Sequence, residues 1–164
     1  MSWLRKWKKT KAKYSWREIE RACKQTIDQY DGPEITRVIG LSRGGLIPAT
    51  IIANHIGVRF VYSIGIASYE LTEEGMAFSG KHDVYQQIPI NSPGMLKEEH
   101  VLIVDDISDK GATFEHVVQS HMPSFNCSFT TMSIFIKPKT TYIPDMFYKQ
   151  VDQDKWIVFP WERD

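Results

Sequence analysis

The hydrophobic pattern of the chain alternates between short apolar runs and longer segments in which apolar positions recur at helical spacing. The short runs, which are predicted to be strands, are 38–41, 60–66, 101–104 and 128–136. The segments with helical spacing, which are predicted to be helices, are 16–30, 46–55 and 114–121. Because strands that alternate with helices are typical of parallel sheets, we expect an α/β fold with a central, mainly parallel sheet flanked by helices.

The first predicted helix has clear start and stop signals. Ser15 and Glu18 have the spacing of a capping box, in which each residue satisfies a backbone N–H group of the other. The sequence Asp31-Gly32-Pro33 follows the last periodic position and is typical of a helix end. We therefore expect 16–30 to be an amphipathic scaffold helix.

Length and composition predict one cytoplasmic domain. At 164 residues the chain can bury one substantial core, and its 20 basic and 20 acidic residues balance. No apolar run approaches the length of a membrane span, so we expect no membrane partner. The two widely separated cysteines, Cys23 and Cys127, are expected to be buried free thiols in a reducing compartment.

The first thirteen residues differ in composition from the rest of the chain. They carry six lysines and arginines and no acidic residue, with Trp3 and Trp7 among them. Such an arm can contact nucleic acid or a membrane surface, or it can pack its tryptophans on its own domain or a neighbouring subunit. We favour packing, and we divide the chain into an arm, 1–13, and one domain, 14–164.

The strongest candidate for chemistry is the segment 101–113. Asp105 and Asp106 stand where a predicted buried strand ends, and Asp109 follows in the loop that leads to the next helix. A loop of this kind offers backbone N–H groups to a phosphate. Carboxylates would repel that phosphate and instead suit sugar hydroxyls, Mg²⁺ or a proton. The segment therefore predicts a site for a sugar phosphate with a metal, with an ordinary acidic turn as the alternative.

The sequence VLIVDDISDKGAT resembles the PRPP-binding motif of type I phosphoribosyltransferases. The resemblance implies that Asp105 and Asp106 hold the ribose hydroxyls, that Asp106 also lies near Mg²⁺, and that Asp109 acts as the base at the purine N7. The loop implied to bind the ribose and 5′-phosphate comprises Asp105, Asp106, Asp109, Lys110, Gly111, Ala112 and Thr113. Lys110 departs from the family pattern, because the family usually has Thr or Ser there.

A second stretch, VIGLSRGGLIPATIIANHIGVRFV, closely resembles the pyrophosphate loop of xanthine–guanine phosphoribosyltransferases and the helix behind it. An arginine can grip an anion while neighbouring glycines let the backbone come close. The residues implied to bind pyrophosphate are Ser42, Arg43, Gly44 and Gly45. The resemblance also implies a cis peptide bond, which we expect at Arg43–Gly44.

Residues 71–99 follow neither a helical nor a strand period and contain several glycines and prolines. A connection of this length in a compact domain is usually a functional lid or disordered, so we expect a long mobile lid loop. Ser68 and Tyr69 match the Ser-Tyr pair at the root of the family's lid. Lys81 is a candidate for the basic residue that such a lid brings to pyrophosphate, with a surface lysine as the alternative.

The carboxy-terminal part of the chain resembles the base-binding segments of 6-oxopurine phosphoribosyltransferases. Lys137, in a Lys-Pro pair after a predicted strand, matches the lysine that reads the purine O6. A lysine can donate to O6, but it cannot accept a hydrogen bond from the amino group of adenine. Trp156 matches the aromatic residue that stacks on the purine, and Ile157 lies beside it, whereas Trp161 is expected to be packing.

Together these resemblances imply the type I phosphoribosyltransferase fold and a Mg²⁺-dependent enzyme of purine salvage. Its substrates would be PRPP and guanine, xanthine or hypoxanthine, and its products a nucleoside 5′-monophosphate and pyrophosphate. The resemblance also implies a homo-oligomer, a dimer or tetramer. Two alternatives stay open: a transferase for a different base, or a PRPP-sensing regulator that binds nucleic acid through 3–13.

Overall fold

The computed structural model describes residues 10–72, 75–88 and 98–162, and it leaves the side chains at 68–82 undescribed. In these ranges the elements follow in the order β1 (Thr10–Lys13), α1 (Trp16–Ile27), β2 (Arg37–Ser42), α2 (Leu46–Ile56), β3 (Val61–Thr72), β4 (Gly75–Gln86), β5 (His100–Ser108), α3 (Ala112–His116), β6 (Ser128–Ile136), β7 (Met146–Gln150) and β8 (Lys155–Val158). A π-helical turn, Val117–His121, and a 3₁₀ turn, Met122–Ser124, continue α3.

The main sheet has six strands in the order β4-β3-β2-β5-β6-β7. Only the β3–β4 pair is antiparallel among its pairings, so the predicted α/β fold with a mainly parallel sheet is confirmed. The chain leaves β2 toward β3 on one side and leaves β5 toward β6 on the other. This reversal places a crevice between the carboxyl ends of β2 and β5, which is where open α/β sheets bind ligands.

Both faces of the sheet are covered, which explains why its central strands are continuously apolar. Successive residues of β5 enter opposite cores: Leu102 and Val104 pack with α1 and α2, whereas Val101 and Ile103 pack with Phe114 of α3. This alternation fixes the register of β5, because a shift by one residue would exchange the two faces. The acid pair Asp105 and Asp106 lies within β5, which continues to Ser108, and is therefore held by a core buried on both sides.

The predicted helices are found with small differences at their ends. The capping box of Ser15 and Glu18 is present, and α1 ends at Ile27, three residues before the predicted end. The second helix ends at Ile56, where Gly57 takes the left-handed conformation with φ 75°. The third begins two residues earlier than predicted and passes into the π-helical turn.

The prediction of an irregular connection from 71 onward is wrong for 71–72 and 75–86. These residues extend β3 and form β4, and the two strands pair as an antiparallel hairpin from Thr72↔Gly75 down to Gly65↔Gln86. Strands in a hairpin satisfy their backbone groups by pairing with each other, so they form without a strong apolar period. Of the rest of the predicted lid, residues 73–74 and 89–97 lie outside the described residues.

Three further strands, β1, β7 and β8, were not predicted, and each has only four or five residues. Strand β7 is an edge strand with four of its five residues exposed. Strand β1, from the end of the basic arm, pairs in parallel with β8 in a separate two-stranded sheet, with Thr10 opposite Lys155. Residues 1–9 of the arm, with Trp3 and Trp7, lie outside the described residues, and the division at 13/14 stays a prediction.

The remaining global expectations concern thiols and membranes. Cys23 is buried and Cys127 is half-buried, and both are free thiols. Within the described part of the chain, no helix combines the length and the apolar character needed to cross a lipid bilayer.

The capping box of α1 gives a direct test of helix-end stability. Replacing Ser15 by Ala removes the side-chain acceptor of the Glu18 N–H, so the free energy of unfolding should fall by about 1 kcal/mol. Denaturant melts of Ser15→Ala and of Ser124→Ala, an exposed serine outside α1, can be compared. Equal stability of the two variants would contradict a structural role for the box.

Candidate active site

The loop after β2 and the acid pair of β5 are in direct contact. A Cβ atom added to Gly44 would overlap the carboxylate of Asp106, so only glycine permits this approach. The contact follows from parallel pairing of the two strands, which aligns Gly40 with Val104 and brings both carboxyl ends to one edge. The predicted pyrophosphate residues therefore lie beside the predicted ribose and metal residues.

The loop after β5 encloses a first cavity, called here the phosphate cavity. It is lined by Asp105, Asp106, Ile107, Ser108, Asp109, Lys110, Gly111, Ala112, Thr113 and Phe114. Every residue predicted to bind the ribose and 5′-phosphate is in this set. Gly111 has φ 87°, and a Cβ there would collide with the backbone of Tyr142. Glycine is thus required both for the conformation of the loop and for its close packing.

The loop after β5 is tied to the loop after β6. Lys137 N–H donates to the carbonyl of Ser108 at 3.0 Å. The carbonyl of Lys110 accepts two hydrogen bonds from Thr141, from its N–H at 3.0 Å and from its hydroxyl at 2.8 Å. These bonds hold the backbone on both sides of Asp109. Lys110 itself is exposed, so its backbone shapes the loop while its charge lies at the surface.

The acid pair is electrostatically unfavourable without a cationic ligand. Burial raises the pKa of Asp105 well above its usual range, and the neighbouring Asp106 charge adds to this. Burial also raises the pKa of Asp106 to about 7, with the charge of Glu162 contributing. The backbone N–H of Asp106 donates to Oδ1 of Asp105 at 2.9 Å, which orients the Asp105 carboxyl group against the backbone of the next residue.

The carboxylates of Asp105 and Asp106 fit Mg²⁺ only when substrate oxygens supply the remaining ligands. Carboxylate oxygens are the ligands that Mg²⁺ prefers, and it is usually held by one or two carboxylates with substrate phosphates. Among the described residues, no group of three or more His, Cys, Asp or Glu side chains is placed to hold a metal ion. The acid pair therefore suits a metal that arrives with its substrate.

A second cavity, called here the base cavity, adjoins the first. It is lined by Asp106, Ile107, Asp109, Lys137, Lys155, Trp156, Ile157, Phe159 and Glu162. The three predicted purine-binding residues are all in this set. Trp156 leaves 46% of its surface exposed, whereas Ile157 is buried. Asp106 and Asp109 line both cavities, so the two acids stand on the boundary between them.

Lys137 is not a solvent-facing lysine. Its side chain is only 3% exposed, and its ammonium donates to the carbonyl of Asp152 at 2.7 Å and to that of Lys155. A buried ammonium needs such partners, because an unpaired buried charge is costly. These bonds clamp the turn that leads into β8 and place the cation in the base cavity.

The expected position of the cis peptide bond is wrong by one residue. The bond lies at Ser42–Arg43, before the arginine, and not at Arg43–Gly44. The sequence resemblance identifies the loop. It does not distinguish between the two peptide bonds that flank Arg43. Arg43 is exposed, and Ser68 and Tyr69 lie on β3 with side chains outside the described ones.

Several site residues were missed in the sequence analysis. Glu162, Phe159 and Lys155 line the base cavity, and Gln153 contacts Asp109 at 3.4 Å. Tyr85 of β4 places its hydroxyl 3.1 Å from that of Ser42. The Gln153–Asp109 and Tyr85–Ser42 contacts join segments far apart in sequence, so no local pattern could have revealed them. For Lys155, Phe159 and Glu162, the available signal was their nearness to Trp156 in the sequence.

A family model described as the phosphoribosyl transferase domain matches residues 9–163. The chain belongs to the phosphoribosyltransferase family. The match spans nearly the whole chain and includes both cavities, so the suspected family is confirmed.

Solved structures agree with this assignment. A purine phosphoribosyltransferase from Pyrococcus horikoshii is 30% identical over 94% of this chain and 95% of its own, with a TM-score of 0.76. The Helicobacter pylori xanthine-guanine-hypoxanthine phosphoribosyltransferase is 25% identical over 93% and 94%, with a TM-score of 0.72. A hypothetical protein from Neisseria gonorrhoeae with bound ppGpp is 23% identical over 94% and 90%, with a TM-score of 0.77, which shows the fold alone.

The raised pKa of Asp106 predicts how stability depends on pH. Between the usual carboxyl value and about 7, folded Asp106 keeps a proton that the unfolded chain has lost, so stability falls as pH rises through this window. Asp106→Asn stays neutral and should be more stable than wild type at pH 8 by at least about 1.4 kcal/mol, the equivalent of one pKa unit. The gain should shrink toward pH 4.5.

The measurement is a set of denaturant melts at several pH values in the presence of a chelator. The matched control is Asp31→Asn, an exposed acid in the turn after α1. If Asp106→Asn were less stable than wild type at pH 8, the acid pair would not be strained by burial in the ligand-free protein.

Proposed function

We propose that the protein is a Mg²⁺-dependent 6-oxopurine phosphoribosyltransferase of purine salvage. It would convert PRPP and guanine, xanthine or hypoxanthine into the nucleoside 5′-monophosphate and pyrophosphate. The observation that carries the proposal is the boundary between the two cavities, where Asp106 and Asp109 line both. A nucleotide spanning the cavities would place its glycosidic bond beside these acids.

The binding of PRPP is assigned to the two loops that meet at Gly44 and Asp106. The backbone of 110–113 would hold the 5′-phosphate, as a preformed ring of N–H groups can hold an anion. Asp105 and Asp106 would bind the ribose hydroxyls, with Asp106 also at the metal. Ser42–Gly45 would take the pyrophosphate, where Arg43 supplies charge and the glycine backbone permits close approach.

The choice of base is assigned to the base cavity. Lys137 would donate to the purine O6, and the exposed ring of Trp156 would stack on the purine. Adenine presents an amino group where these substrates have O6, and a lysine ammonium cannot accept from it. The names of the Pyrococcus horikoshii and Helicobacter pylori relatives support a purine substrate.

The reaction would form the bond from N9 of the base to C1′ while the bond from C1′ to pyrophosphate breaks. Asp109 would accept the proton that leaves N7, so that the purine does not become cationic. When bound, Mg²⁺ would offset the charge of the departing pyrophosphate. When the two substrates fill the adjoining cavities, they would exclude water from the reacting atoms. A cytoplasmic homo-oligomer stays our expectation from the resemblance.

The direct test is a panel of nucleobases with Mg-PRPP, in which pyrophosphate release is followed. At least one of guanine, xanthine and hypoxanthine should be turned over, and adenine should be poorer by at least about 10²-fold in kcat/KM. Reactions without base and with excess chelator are the controls. Efficient turnover of adenine would contradict the role of Lys137. Absence of turnover together with tight nucleic-acid binding would favour the PRPP-sensing regulator.

Replacing Asp109, the proposed general base, should affect the chemical step rather than substrate binding. Asp109→Asn keeps the shape of the side chain but cannot accept the N7 proton, so kcat should fall by roughly 10²–10⁴. The KM for PRPP should change little. The control is Asp154→Asn, an exposed acid near β8. If kcat of Asp109→Asn stayed within a few-fold of wild type, the role of proton acceptor could not be assigned to Asp109.

A further inference from the structure

The turn between β7 and β8 is held firmly against the active site. The ammonium of Lys137 bonds to carbonyls at both ends of this turn, Asp152 and Lys155. The turn is also closed by its own backbone, since Lys155 N–H donates to the carbonyl of Asp152 at 3.1 Å. Gln153 lies inside it and is only half-exposed. Its backbone position is therefore defined by the residue proposed to read the base.

The side-chain amide of Gln153 has a determined orientation. The backbone N–H of Lys139 can only donate, and it lies 3.1 Å from Oε1 of Gln153. The oxygen is thus fixed at that end, so the NH₂ group must point the other way. There Nε2 lies 3.4 Å from Oδ1 of Asp109. One side chain therefore connects the loop after β6 with Asp109 in the loop after β5.

We propose that Gln153 is the residue that positions the carboxylate of Asp109 for proton transfer. The inference rests on the proposed function, because it assumes that Asp109 is the general base that accepts the N7 proton. The amide would hold Oδ1 and leave Oδ2 to face N7 of the purine. Because the backbone on both sides of Asp109 is already tied to the loop after β6, side-chain rotation is the freedom that remains to be restricted.

At 3.4 Å the Gln153–Asp109 contact is long for a hydrogen bond. Catalytic hydrogen bonds are often long before substrate binds and shorten in the complex. A purine against Trp156 and Lys137 would press on the turn that carries Gln153. Binding of the purine in the base cavity would then be coupled to the orientation of the Asp109 carboxylate. Misplacement of that carboxylate by about 1 Å can cost up to 10²-fold in rate.

Two substitutions separate positioning of Asp109 from simple support of the turn. Gln153→Glu keeps an acceptor for the Lys139 N–H but loses the donor to Asp109. Gln153→Met has a similar length and loses both. If Gln153 positions Asp109, both variants should lower kcat by about 10-fold or more, with the KM values for PRPP and base within about threefold. The control is Gln150→Glu, an exposed glutamine on β7.

The deciding measurement repeats Gln153→Glu in the Asp109→Asn background. A residue that acts through Asp109 should have little further effect on kcat there, about twofold or less, because the group it positions is already lost. Thermal melts of all variants show whether they are folded. Normal kcat in Gln153→Glu with a defect in Gln153→Met would overturn the proposal in favour of turn support, and so would a full additive loss in the double variant.

Failure of the proposed function gives a different result. No turnover by wild type with any base would overturn the proposed function and this inference with it. Turnover by wild type that Asp109→Asn leaves intact would overturn the role of Asp109 and therefore that of Gln153. Turnover that depends on Asp109 but not on Gln153 would overturn the inference alone.

Discussion

The contact between Gly44 and the carboxylate of Asp106 is the constraint on which the site depends. It exists because β2 and β5 are parallel neighbours whose following loops leave in opposite directions, which opens a crevice between them. A side chain at position 44 would fill the space and separate the two loops. The phosphate cavity, the base cavity and the acids between them are arranged around this approach.

The acid pair beside this contact is electrostatically strained. Burial raises the pKa of both Asp105 and Asp106; the charge of Asp106 adds to the shift of Asp105, and the charge of Glu162 adds to that of Asp106. Such strain is common where a site is built to receive charge, because a cation or a hydrogen-bond donor relieves it on binding. Stability and ligand binding thus oppose each other at the acid pair of β5.

The sequence was sufficient wherever the signal was local. Four apolar runs predicted central strands, Ser15 and Glu18 predicted the start of α1, and the loop glycines predicted where backbone packs closely. Prediction failed for the β3–β4 hairpin, whose pairing needs no apolar period, and for edge strand β7, which is mostly exposed. Gln153 and Glu162 could not be assigned because only the fold brings them near Asp109 and Asp106.

The central claim is that one nucleotide spans the phosphate and base cavities across Asp106 and Asp109. A crystal structure with guanosine 5′-monophosphate tests it most directly. The account predicts the 5′-phosphate on the backbone of 110–113, the guanine ring against Trp156, O6 near Lys137 and the glycosidic bond beside the acids. Binding of the nucleotide elsewhere, or with its phosphate against Ser42–Gly45 and its base outside the base cavity, would contradict the account.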